Sequence, residues 1–146
     1  MALKIQRALF EQMRQHAERA YPLECCGVLV GLFNSGTDRT VERVAPCVNA
    51  SIESLHKRYE ISAVDLLRTQ REARFAGQQI VGFYHSHPDH PARWSTTDLD
   101  QAHWTGCSYV IISVEKGRAG AANSFLLMNE GQSRRFQDEF IEFTGE

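Results

Sequence analysis

Several things are missing from this chain, and each absence narrows what it does. No apolar run approaches the roughly 18 residues that a membrane-crossing helix needs, so no membrane partner is expected. Neither sign of charge dominates: 16 Lys and Arg stand against 18 Asp and Glu, for a net charge of -2. That gives no electrostatic footing for nucleic acid. The chain has no internal repeat, low-complexity tract or linker, so 146 residues read as one domain, 1–146. A chain of that size buries roughly two-thirds of its unfolded surface. The first residues, Met1-Ala2-Leu3-Lys4-Ile5-Gln6-Arg7, turn polar at once and do not read as a signal peptide. The expected compartment is therefore the cytoplasm.

Cysteine is also scarce. Cys25, Cys26, Cys47 and Cys107 contain no Cys-x-x-Cys pair. Neighbours such as Cys25 and Cys26 would face opposite ways on a strand, which does not suit one tetrahedral ion. Reduced and partly buried thiols are what a cytosolic chain favours. A disulfide between Cys47 and Cys107 stays open.

The elements that are present alternate in type. Leu9, Met13 and Ala17 recur at four-residue spacing beside Phe10, which predicts a helix over about Arg7 to Ala20 with one buried face. The apolar run Cys25 to Phe33 predicts a buried strand, Asn34-Ser35-Gly36 a turn, and Thr40 to Val48 a second strand. Ser62-Ala63-Val64-Asp65 reads as a capping box opening a helix to about Ala76. Strands follow at Gln79 to Tyr84 and Cys107 to Val114, around a helix from Ser95 to Trp104. Ser124 to Met128 and Ser133 to Phe140 pair across Asn129-Glu130-Gly131. The expected class is α+β, with a mixed, mainly antiparallel sheet flanked by helices.

The chemistry concentrates in His85-x-His87, then seven residues, then Ser95-x-x-Asp98. Residues two apart on a strand face the same side, roughly 6.6 Å apart at Cα, so the two imidazoles can converge on one ion. Asp98 adds a carboxylate from the first turn of the next helix. Structural zinc sites take four protein ligands; catalytic ones take three and keep a position for water. Taken singly, each piece has a plainer reading. On that plainer reading the histidines are polar strand-end residues, and Ser95 with Asp98 is a capping box whose carboxylate is not free for a metal. It is their conjunction that points to a hydrolase site. Asp89 and His90 read as solvated loop residues. Glu24, at the edge of the first apolar strand, is the candidate base, and Ser95 the candidate donor to an oxyanion.

These residues resemble the JAMM/MPN+ (Mov34/PAD-1) metalloprotease family over nearly the whole chain. His85-Ser86-His87-Pro88 with Ser95 and Asp98 fits the pattern H-x-H-P-x6-S-x-x-D. Pro22-Leu23-Glu24-Cys25-Cys26-Gly27-Val28-Leu29-Val30-Gly31 is similar to the early P-x-E-x-C-G-x-L-x-G segment. The resemblance implies a cytidine-deaminase-like fold and zinc held by His85, His87 and Asp98. It implies Glu24 as general acid and base, and Ser95 as oxyanion stabiliser. It also implies a substrate: the amide bond after the C-terminal Gly-Gly of a ubiquitin-like or sulfur-carrier protein, with a tail or an amino acid released. The compact form leaves no room for a long distal insertion, and Asn49 to Lys57 is the expected substrate-facing loop. An extended tail is expected to pair with a sheet edge.

Other readings remain in view at this point. A metal-dependent amidase for small substrates would use the same site. A non-catalytic MPN module would bind ubiquitin-like proteins without cutting them. A cysteine hydrolase built on Cys25 or Cys26 has no support in the spacing.

Overall fold

A computed structural model describes residues 1–36, 38–52 and 58–145. The elements run β1 (Ala2–Gln6), α1 (Arg7–Ala20), β2 (Cys26–Phe33), β3 (Arg39–Cys47), α2 (Ala63–Phe75), β4 (Gln79–Pro88), α3 (Thr96–Gln101), β5 (Ser108–Glu115), β6 (Arg118–Glu130) and β7 (Ser133–Thr144). The α+β class holds. The sheet is mixed, as expected: β2–β3, β2–β4, β5–β6 and β6–β7 pair antiparallel. The pairs β1–β3, β1–β7 and β4–β5 are parallel.

The sheet also closes. Its order is β1-β3-β2-β4-β5-β6-β7, and β7 returns to pair with β1 from Ala2↔Phe140 to Gln6↔Thr144. Closure removes the long open edge expected for strand addition, since every described strand has neighbours on both sides for part of its length. The ladder from β1 reaches β3 only at Arg39 and Thr40, so β3 outruns that neighbour beyond Thr40.

The strands alternate between two cores. Val28, Val30, Phe83, Tyr109 and Ile111 enter one of them with Phe125, Leu127 and Phe136. Leu29, Val81, Tyr84, Val110 and Ile112 enter the other, where Met13 and Ala17 of α1 cover them. A strand buried on both faces reads as an unbroken apolar run, which is why Cys25 to Phe33 announced a strand without a preferred face. Gly27 allows a close crossing here: a Cβ on it would lie 2.2 Å from the Tyr84 ring.

Several boundaries differ from expectation. The helix α3 stops at Gln101, short of Trp104. The Trp104 ring packs edge-on against Phe83 at 5.3 Å, and its backbone N–H donates to the Tyr109 hydroxyl at 3.1 Å, so tertiary contacts draw the chain off the helix. The strand β4 continues to Pro88, so the histidines lie within it. Its pairing with β2 ends at Cys26↔His85, while β5 accompanies it to Pro88↔Val114. Pro88 thus sits where only one neighbour remains, as an edge proline should. All four cysteines are free, so the Cys47–Cys107 bridge is not formed. No described helix is long and apolar enough to cross a membrane.

Candidate metal centre

His85 and His87 project to the same side of β4, with their Nε2 atoms 3.2 Å apart. Asp98, in the first turn of α3, lies across from both. Its Oδ1 is 3.2 Å from His85 Nε2, and its Oδ2 is 3.1 Å from His87 Nε2. Ligands bonded at 2.0–2.1 Å around a tetrahedral ion stand about 3.3 Å from one another, so this spacing and donor set fit a divalent metal. The three expected ligands are therefore brought together.

The rings are held in different ways. His87 Nδ1 lies 3.0 Å from the Pro91 carbonyl, and donation there leaves Nε2 facing the centre. The His85 ring stacks on Tyr59 with centroids 4.4 Å apart. Its Nδ1 is buried and has no partner among the described residues.

Asp98 resolves the tension noted in the sequence, because one carboxylate does both jobs. Oδ2 accepts the Ser95 N–H at 2.9 Å, and Ser95 Oγ accepts the Asp98 N–H at 3.1 Å. That capping box opens α3 and, with the same atoms, presents Asp98 to the histidines. Burial works against the Asp98 charge, but hydrogen bonds from His85 and His87 outweigh it and hold the carboxyl well below its usual range. Burial also opposes charge on His87, yet the bond to Asp98 wins and raises that ring. For His85, burial dominates and lowers it.

Glu24 lies in the bend before β2 and is 5% exposed, so it is not a solvated loop residue. Burial pushes its carboxyl up to about 8, against the pull of His87 and with the push of Asp98. Its Oε1 is buried and unpartnered among the described residues. Such an atom normally has a partner, and a water or ligand at the centre would supply one. Glu24, His87 and Ser95 line one cleft of about 550 Å³, walled by Pro91, Arg93 and Trp94. A second, aromatic cavity of about 350 Å³ is lined by Tyr59, Phe83, Trp104 and Tyr109, of which Tyr59 stacks on His85.

Asp89 and His90 stay outside the ligand group. Asp89 is tied instead to the Tyr21 hydroxyl at 2.7 Å and the Lys116 N–H at 2.9 Å. Cys25 and Cys26 are poor nucleophiles: burial raises both thiols, Cys25 to about 11. In the loop from Asn49 to Lys57, residues 53–57 lie outside the described residues. The loop's described base is bolted by Asn49, whose Nδ2 donates to the Glu24 carbonyl at 3.2 Å and the Arg58 carbonyl at 2.9 Å. Asn49 was expected only as the start of the substrate-facing loop, and Tyr59 had no local signal as a site residue, because its partner is distant in sequence. Ser86 did have one, since it lies inside the His-x-His motif.

Residues 6–127 match the family described as prokaryotic homologs of the JAB domain. The desampylase of Haloferax volcanii is 33% identical over 113 residues, covering 77% of this chain and 78% of that protein. The probable TtuB-protein conjugate cleaving protease of Thermus thermophilus is 33% identical, over 90% of this chain and 80% of its own. The CysO-cysteine peptidase of Mycobacterium tuberculosis is 32% identical, over 87% and 84%. Among solved structures, a protein of Desulfitobacterium hafniense matches with a TM-score of 0.79 and 31% identity, covering 97% of this chain and 94% of that one. One from Salinibacter ruber matches at 0.71 and 36% identity, covering 94% and 90%. By family match, sequence identity and fold together, the chain belongs to the prokaryotic homologs of the JAB domain, the JAB/MPN family.

Proposed function

We propose that residues 1–146 act as one JAMM-type domain, a zinc-dependent peptidase or isopeptidase. Its substrate is the amide bond after the C-terminal Gly-Gly of a ubiquitin-like or sulfur-carrier protein. The observation that carries this reading is Glu24: a buried carboxyl with an unpartnered oxygen, in the same cleft as His87 and Ser95. A binding module has no use for so costly a group. The names of the three relatives support the substrate class. Two imidazoles and one carboxylate support zinc. Four unpaired cysteines support a reducing compartment, the cytoplasm.

His85, His87 and Asp98 would hold the ion. The chemistry such an ion supplies is to lower a water's pKa toward about 7 and to polarise a carbonyl. Glu24 takes a proton from the attacking water and hands it to the leaving nitrogen, which needs a group poised near neutral pH. The water's oxygen bonds to the carbonyl carbon, the C–N bond breaks, and the proton leaves with the amine. Ser95 Oγ already accepts one hydrogen bond from Asp98 N–H. Its own O–H is left to donate to the carbonyl oxygen as that atom gains charge.

The test is a panel of Gly-Gly carriers, some with a peptide tail and some joined to one amino acid, incubated with the zinc-loaded protein. Mass spectrometry is expected to show carriers ending at Gly-Gly. Intact carriers across the panel, with metal bound, would overturn the reading.

A further inference from the structure

We infer that Arg93 recognises a free carboxylate on the leaving group, so that the favoured leaving group is a single amino acid rather than a lysine side chain of another protein. This rests on the hydrolase reading above and names the substrate of that same site.

Direction comes first. Glu24 lines the cleft that also holds His87 and Ser95. Glu24 gives its proton to the leaving nitrogen, so the leaving group must lie in that cleft.

The next matter is what the leaving group meets. Arg93 borders the cleft, and among the described residues it makes no hydrogen bond or ion pair. Apart from Glu24, no carboxylate among the described residues lines the cleft. Arg93 also borders a neighbouring cleft that contains Asp138, without pairing with it. Its backbone is nevertheless well held. The preceding carbonyl, of Ala92, accepts from Asn123 Nδ2 at 2.8 Å, and Ala92 is buried. The following ring, of Trp94, packs on Phe136 with centroids 5.5 Å apart. Ser95 then caps α3. Arg93 is exposed at the rim of the cleft, so its guanidinium is free to meet an anion there.

An amino acid leaving through its α-nitrogen carries a carboxylate only one carbon away from that nitrogen. A planar guanidinium binds such a carboxylate through two parallel hydrogen bonds. An isopeptide's lysine nitrogen is followed by four methylenes, and offers no anion at that distance.

The experiment compares two leaving groups on one Gly-Gly carrier: alanine with a free carboxyl, and alaninamide. The wild-type, zinc-loaded protein is expected to cut the free-carboxyl form about 10–100-fold more efficiently, mainly through KM, the range for a charge-assisted hydrogen bond. Arg93→Ala should cut the two at similar rates, Arg93→Lys should recover part of the preference, and Arg93→Glu should favour the amide. Metal content and thermal midpoint, followed alongside, separate this from damage to the fold. Equal rates for the wild type, or an equal slowing of both substrates in Arg93→Ala, would overturn the role of Arg93 while leaving the hydrolase standing. Cleavage of neither form by metal-loaded wild type would overturn the hydrolase reading itself, and this assignment with it.

Discussion

Cys25 and Ser86 hold each other by two hydrogen bonds: the Cys25 N–H donates to Ser86 Oγ at 2.8 Å, and the Ser86 N–H donates to the Cys25 carbonyl at 3.2 Å. Glu24 directly precedes Cys25, and Ser86 lies between His85 and His87. One buried pair therefore sets the distance between the candidate base and the candidate metal ligands. Ser86→Ala should leave the buried Cys25 N–H without its acceptor, at about 1–3 kcal/mol. Turnover should fall further than metal content does. Thermal denaturation, zinc analysis and rate measured on the same sample check this.

Glu24→Gln keeps the shape and removes the titration. Metal uptake should persist, while the rate falls by about 10²–10⁴-fold. The metal-free protein carries a second signature. Burial raises the Glu24 pKa above its unfolded value, to about 8. The neutral carboxyl is thus the favoured folded form, and its contribution is full below the unfolded pKa and is lost as pH rises toward 8. Glu24→Gln should therefore gain on metal-free wild type between pH 5 and 8, by roughly 1–3 kcal/mol. Denaturant unfolding of the two proteins at several pH values measures it. A constant difference across that window would mean that Glu24 is solvated.

Ser95 caps α3, and the proposed mechanism gives it a second, separable duty. Ser95→Ala should lose both the cap, about 1 kcal/mol, and the oxyanion donor, about 10²–10³-fold in kcat. Ser95→Asp keeps a cap acceptor but has no hydroxyl to donate. It should recover stability and not rate, as read by thermal melts beside steady-state kinetics.

The candidate metal site was legible because two short periods wrote it. His85 and His87 obey the strand period of two, and Asp98 obeys the first-turn geometry of a capped helix. Tyr59, stacked on His85, was not legible, since nothing in its neighbours reports a partner 26 positions away. The strand β1 was missed for a similar reason. Its five residues make sense only against strands distant in sequence, β7 along their whole length and β3 at Leu3 and Lys4. The barrel's closure depends on that same pairing, so it too lay beyond any local pattern. The expected helix to Trp104 failed because Phe83 and Tyr109 compete for that residue.

Tyr59 offers a further check. Its ring supports His85, whose Nδ1 has no hydrogen-bond partner among the described residues. Tyr59→Ala should loosen that ligand and weaken zinc affinity by about 10–100-fold, the range found for outer supports of metal ligands. Tyr59→Phe should not, because stacking needs the ring and not the hydroxyl. Competition with a chelator of known affinity gives both numbers.

The most direct test is titration of zinc into metal-stripped, folded protein by calorimetry, beside His87→Ala. One ion per chain is expected for the wild type, and a large loss of affinity for the variant. Absence of binding to well-folded wild type, or equal binding by His87→Ala, would contradict the three-ligand centre on which the hydrolytic account stands.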